Sequence, residues 1–343
     1  MRLAQIGVGR IGQLHAGVLA VHPLVERLTL ADADQARAAE VAASIGAVTA
    51  GVEEAIAVAD AVVIAAATDA HAELIRRALP YRIPIFCEKP LALDLGETER
   101  LVDEIEASGV RFQLGFHRRF DPAYREAQRQ VASGELGRLY QVRMIANDHE
   151  PPPEAYIPTS GGFFRDAAIH DFDAVRFVAG DDVDTIHVEG AVLGFEMFAR
   201  HSDVDTVVAT MRMRNGALVV LAGGRHNPRG YDIRMELVGS RDAVAIGLGP
   251  RTPIRPLDAD GIAMESGWQS FLDRFAPAYQ AELQAFVELA AGGSESGCTA
   301  RDGLEAMRIA EAAVRSISER RTIAIADINT TGEKEVSSEL ISR

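Results

Sequence analysis

Asp166 and His170 stand four residues apart in a stretch whose apolar residues, Ile169, Phe172, Val175 and Phe177, recur close to a helical period. The spacing predicts a helix starting near Arg165, on which the carboxylate and the imidazole share one face while Asp171 and Asp173 point elsewhere. That pairing suits proton transfer: an imidazole titrates near neutral pH, and a neighbouring carboxylate orients the ring and stabilises its charged form. The plainer alternative is an acidic residue favoured by a helix N-terminus and hydrogen-bonded to a half-buried histidine. Ser160, Gly161 and Gly162, just upstream, read as a flexible lead-in.

A second reactive group lies far upstream. Ile83 to Cys87 reads as a strand, and Glu88-Lys89-Pro90 follows it directly. Proline fixes the turn and disfavours helix at the preceding residue, so Lys89 is held at a sheet edge, where an amine can stabilise a developing oxyanion.

The elements that must position these groups begin at the N-terminus. Leu3 to Ile6 is a buried-strand candidate, Gly7-Val8-Gly9-Arg10-Ile11-Gly12 follows without a gap, and Ile11, Leu14, His15, Val18 and Leu19 then keep helical spacing. In such a strand–turn–helix, Gly7 permits the tight turn, Gly9 lets a pyrophosphate approach the backbone, and Gly12 lets helix and strand pack closely. Leu28 to Ala31 makes a second strand ending in Asp32, twenty residues after Gly12. An acid there bonds the adenosine ribose hydroxyls and repels a 2′-phosphate, so the pattern predicts NAD rather than NADP, with Asp34 as a competitor for the role.

Ala36 to Ile45 reads as a helix, and Asp60 to Ala66 as a central parallel strand, apolar on both faces. Thr68 or Asp69 is expected to cap the next helix. Ligands of doubly wound sheets sit beyond the carboxyl ends of the strands, which puts Thr68 and His71 on the nicotinamide side; for His71 a solvent-facing helix start is the alternative. The candidate cofactor-binding set is Gly7, Gly9, Arg10, Ile11, Gly12, Asp32, Thr68, His71, Glu88 and Lys89.

Length and composition bound the rest. A chain of 343 residues implies more than one domain. A net charge of −15 argues against nucleic acid or an anionic membrane surface as a partner. Cys87 and Cys298 show no metal or redox spacing, which fits a reducing cytoplasm. No basic leader with an apolar core precedes the first strand, and the run Ala61 to Ala67 is far short of the roughly 20 apolar residues of a spanning helix. The expectation is a cytoplasmic protein without membrane partners.

Past residue 119 the pattern changes. A helix from Ala123 to Val131 and a strand from Leu139 to Ile145 lead to the Pro151-Pro152-Pro153 loop and the Asp166 helix, which ends at Gly180. Val183 to Val188, Thr206 to Met213, Ala217 to Ala222, Ile233 to Val238 and Ala243 to Ile246 read as strands, with a hairpin signal at Asn215-Gly216. Short connections imply largely antiparallel pairing, with helices on one side and subunit pairing on the other. Ala278 to Ala291 and Arg301 to Glu319 are long helical stretches, followed by a polar tail. The fold class is therefore α/β: a dinucleotide-binding Rossmann domain over 1–119 with a doubly wound parallel sheet, an α+β substrate and oligomerisation domain over 120–326 with an open, mostly antiparallel sheet, and a tail over 327–343.

The glycine turn, Glu88-Lys89-Pro90, Gly115-Phe116-His117-Arg118-Arg119-Phe120-Asp121-Pro122 and Ser160-Gly161-Gly162 through His170-Asp171-Phe172-Asp173 together resemble the glucose-fructose oxidoreductase/inositol dehydrogenase (Gfo/Idh/MocA) family over about residues 1 to 326. Within it the chain is most similar to NAD-dependent inositol 2-dehydrogenases. The resemblance implies a catalytic set of Lys89, Asp166 and His170. It also implies a substrate side that adds His117, His149, Tyr156 and Tyr231, and a cyclic polyol oxidised by hydride transfer to NAD in a dimer or tetramer. Ala67, His117, Asn147-Asp148-His149-Glu150 and Ala167-Ala168 depart from the usual family residues. These leave a sugar or glycoside dehydrogenase as the nearer alternative and a non-enzymatic NAD-responsive regulator as the remoter one. A metal held by Asp166 and His170 would have two ligands from one helix, an incomplete site, so no metal is expected.

Overall fold

The computed structural model describes residues 1–257, 264–294 and 296–328. Six parallel strands form the first sheet: β1 (Arg2–Ile6), β2 (Arg27–Ala31), β3 (Val48–Thr49), β4 (Ala61–Ile64), β5 (Ile85–Glu88) and β6 (Phe112–Gly115), in the order β3-β2-β1-β4-β5-β6. Every residue of β4, β5 and β6 is buried, as expected for strands covered on both faces. The order reverses between β1 and β4, the switch point at which doubly wound sheets bind ligands.

The second sheet holds β7 (Leu139–Asn147), β8 (Val183–Ala191), β9 (Thr206–Met213), β10 (Leu218–Gly224), β11 (Asp232–Gly239), β12 (Ala243–Ile246) and β13 (Ile323–Ala324), ordered β12-β11-β7-β10-β9-β8-β13. All its neighbouring pairs are antiparallel except β7 with β10. In β9 the buried residues Val207, Ala209, Met211 and Met213 alternate with exposed ones, so one face is covered. Helices Pro122–Ala132 and Ile169–Ala179 pack together, the latter against β7.

The chain divides into two compact units, Met1–Phe120 with Pro277–Glu305, and Asp121–Ala276 with the chain from Ala306 on. This corrects the expectation that all of 120–326 belongs to the second domain. Helix Ala276–Ala290 sends Leu283, Phe286, Val287 and Leu289 into one buried cluster with Leu3, Val8, Leu30 and Phe86, the Phe286 and Phe86 rings 5.7 Å apart. The first sheet needs that apolar cover, and nothing local in the sequence marks the return. Ile328 is buried; the remainder of the expected tail, 329–343, lies outside the described residues.

Candidate functional site

In the first unit the three glycines of the turn answer to different constraints. A Cβ on Gly7, whose φ is +98°, would stand 2.4 Å from the Ala65 carbonyl oxygen, and one on Gly12 would stand 2.3 Å from that of Gly7. Both are sites of close backbone packing. A Cβ on Gly9 would meet no atom within 4 Å, so the turn is open there, at the start of helix Arg10–Ala20. That opening fits a dinucleotide phosphate set against helix N–H groups. Gln5, which the motif does not include, is fully buried and donates from Nε2 to the carbonyls of both Gly7 (2.9 Å) and Gly12 (2.6 Å), pinning the turn. Arg10 and Ile11 begin the helix.

Asp32 accepts from the Val8 N–H (2.7 Å), the Asp34 N–H (2.8 Å) and the Arg37 guanidinium (2.8 Å). Burial alone would raise its pKa; these donors outweigh it and hold the carboxyl below its usual range. Its competitor Asp34 is otherwise engaged, accepting from the Arg37 N–H as the cap of helix Gln35–Ile45.

His71 is buried rather than solvent-facing, its ring nitrogens directed at the carbonyls of Pro90 (2.8 Å) and Ala66 (3.2 Å), and burial pushes its pKa down. It ties the end of β4 to the Lys89–Pro90 turn. The expected cap at Thr68 or Asp69 is not formed: Ala67 holds the cap position, without a side-chain bond, and Thr68 is the first helical residue. Glu88 faces His15 Nε2 at 2.6 Å and accepts the Lys89 N–H at 3.2 Å. Lys89 is half-buried. His117 is buried, stacked 4.4 Å from Tyr279.

In the second unit the Ser160-Gly161-Gly162 segment is a defined turn rather than a flexible lead-in. Gly161 and Gly162 both hold φ of +83°, Gly162 N–H donates to Ser160 Oγ (3.1 Å), and Phe163 N–H donates to Asp203 (3.0 Å). Phe164–Ala168 is a π-helical turn that passes into α-helix at Ile169–Ala179. Bonds from i to i+5 change the facing of residues. Asp166 lies in this π turn and His170 in the first turn of the α-helix that follows it. Asp166 is held from outside its helix, by the Tyr156 hydroxyl (3.0 Å) and Arg225 Nη1 (3.2 Å). His170 is half-buried.

Arg225 is a buried cation at this site that sequence reasoning missed. Its side chain is 4% exposed, lies 5.1 Å from the Phe163 ring centroid, and bonds Asp166 and, at 3.4 Å, Asp148. Burial alone would lower its pKa; Asp166, Asp148 and Asp203 reverse that and raise it. The parallel β7–β10 pair explains the assembly. Two parallel strands end at the same edge, so Asp148 and His149 after β7 meet Arg225, His226 and Asn227 after β10. His149 Nδ1 lies 3.0 Å from the Asn227 carbonyl, and His226 Nδ1 lies 2.8 Å from that of His149. Tyr231 enters at this edge too: Asp232 pairs with Asn147, and Tyr231 N–H donates to the Trp268 carbonyl at 2.6 Å.

Two outcomes follow from these ion pairs. Asp32→Ala should relax the preference for NAD, and NADP use should rise because Arg37 is released; adding Arg37→Ala should cancel that rise, as read from kcat/KM with each dinucleotide. Arg225→Met removes the buried cation that bonds Asp166 and Asp148 and should cost about 3–5 kcal/mol at neutral pH. That loss should shrink as falling pH protonates the carboxylates, measured by urea denaturation at both pH values.

Comparison with known proteins places the chain. Residues 1–116 match the Gfo/Idh/MocA oxidoreductase family model, an NAD-binding Rossmann fold, and residues 124–245 match the Gfo/Idh/MocA C-terminal domain. The myo-inositol dehydrogenase Hyg17 of Streptomyces leeuwenhoekii is 38% identical over 323 residues, covering 92% of this chain and 97% of that protein. The crystal structure of a myo-inositol dehydrogenase from Corynebacterium glutamicum superposes with a TM-score of 0.87 at 34% identity, covering 94% of this chain and 98% of that one. A scyllo-inositol dehydrogenase from Lactobacillus casei with bound NAD(H) and scyllo-inositol gives 0.84 at 27% identity, covering 95% and 99%. With both domain families matched in order and relatives covered almost end to end, the chain belongs to the Gfo/Idh/MocA family and is an NAD-dependent oxidoreductase.

Proposed function

We propose that this protein oxidises a secondary hydroxyl of a cyclic polyol, as an inositol 2-dehydrogenase, with NAD as hydride acceptor. The observation that carries the reading is the setting of Asp166. A carboxylate held by a phenol and a buried guanidinium, at the start of the helix that bears His170, suits an acid–base site for a neutral, hydroxyl-rich substrate. Relatives of this length and similarity that are inositol dehydrogenases support it.

In this mechanism His170 takes the hydroxyl proton, the proton transfer for which an imidazole is the suited side chain near neutral pH. Asp166 stabilises the charged ring that results. Lys89 donates to the same oxygen and stabilises developing alkoxide. Gly7, Gly9, Gly12 and Asp32 hold the dinucleotide, with Arg10, Ile11, Thr68, His71 and Glu88 around it. His117, His149, Tyr156 and Tyr231 shape the polyol side. Bound NAD supplies the hydride acceptor. A sugar or glycoside substrate is the second reading, favoured by the departure at Asn147-Asp148-His149-Glu150, which stands beside Arg225.

The protein is further proposed to act in the cytoplasm, as two buried free thiols support, and as a homo-oligomer, dimer or tetramer, through the uncovered face of the second sheet. That face shows Tyr140, Val208 and Leu218 as exposed apolar side chains.

Lys89→Ala and His170→Ala should each lose most turnover while keeping NAD affinity; near-native rates in either would remove that residue from the mechanism. NADH absorbance over a panel of inositols and aldoses should show an inositol as best substrate, and an aldose ahead of every inositol would select the second reading. Sedimentation should give a dimer or tetramer, and Val208→Glu with Leu218→Glu should shift it towards monomer.

A further inference from the structure

Behind the Glu88-Lys89 turn of the first unit lies a cluster that the reaction as described does not use. Helix Ala276–Ala290 inserts Glu282 among Leu283, Phe286 and Val287, fully buried. The Glu282 main-chain carbonyl accepts from Gln113 Nε2 at 2.9 Å, but neither carboxyl oxygen has a hydrogen-bond donor among the described residues. His15, Glu88 and Glu282 each offer one nitrogen or oxygen within 4.8 Å of the others. Two buried carboxyl groups so close do not both ionise, and the proton stays where the anion would have fewest donors. Glu88 accepts the Lys89 N–H at 3.2 Å and lies 2.6 Å from His15 Nε2, which donates to it in the Nε2–H tautomer; Glu282 has no donor among the described residues.

We propose that Glu282 keeps the proton of this carboxyl pair as a neutral acid, which leaves Glu88 as a fixed anion that accepts the Lys89 N–H and makes Glu282 and His15 positioning residues for the Glu88-Lys89 turn. Burial drives the Glu282 carboxyl well above its usual range, with the charge of Glu88 adding to it. The other titratable groups facing the pair are neutral at working pH: burial raises the Cys87 thiol and lowers the His71 imidazole. Tyr279, on the same helix, packs its ring 6.0 Å from His15 and stacks against His117.

The effect on turnover rests on the role given to Lys89; the location of the proton does not. Infrared spectra of the enzyme should show the C=O stretch of a protonated carboxyl that Glu282→Gln abolishes. Glu282→Gln preserves neutrality and shape, so kcat and its pH profile should stay within about threefold of wild type. Glu88→Gln removes the anion and should leave the infrared band of the buried Glu282 carboxyl in place. The proposal is overturned if the infrared band survives Glu282→Gln, if the band is lost in Glu88→Gln, or if the purified enzyme carries a stoichiometric metal ion on these three residues. Should Lys89→Ala keep full activity, the mechanism fails while the infrared band still decides where the proton sits.

Discussion

A carboxylate taken out of water must be met by donors or must keep its proton, and that rule fixes the useful geometry of both units. Asp32 is met by two backbone N–H groups and Arg37, so the end of β2 and the glycine turn are held in one arrangement. Asp205 is met by the N–H groups of Leu193, Gly194 and Phe195 and by the Thr206 hydroxyl, which fixes the loop before β9. Asp166 is met by Tyr156 and Arg225, which aim it from outside its own helix. Each pairing positions a loop that has little other reason to stay in place.

Topology decides which donors are available. Had the second sheet been wholly antiparallel, the segments after β7 and β10 would leave at opposite edges, and Arg225 would be far from Asp148. The single parallel pair brings them to one edge, together with the start of β11. In the first unit, the late return of helix Ala276–Ala290 completes the apolar cover of the parallel sheet and brings Glu282 to the back of the Glu88-Lys89 turn. One packing event serves stability and site electrostatics together.

Much was legible in the sequence where local physics leaves one solution. The turn Gly7 to Gly12 needs glycine because a Cβ at Gly7 or Gly12 would collide with backbone, and Asp32 sits at the distance a strand, turn and helix impose. The strands of the second sheet follow from alternation, as β9 illustrates, and Gly180 ends its helix with φ of +61° as a left-handed cap should.

What the amino-acid order determined by itself was thus the main elements, the glycine turn and the acidic residue at the end of β2. Tertiary structure decided the rest: the π-helical turn at Asp166, the burial of Arg225 among three aspartates, the fixed double-glycine turn at Gly161-Gly162, and the assignment of 277–305 to the first unit. The physical reason is range. Turn sterics and hydrophobic period act over a few residues and leave their mark in spacing, whereas desolvation and charge pairing act between segments as distant in sequence as Glu88 and Glu282, which only the folded chain brings together.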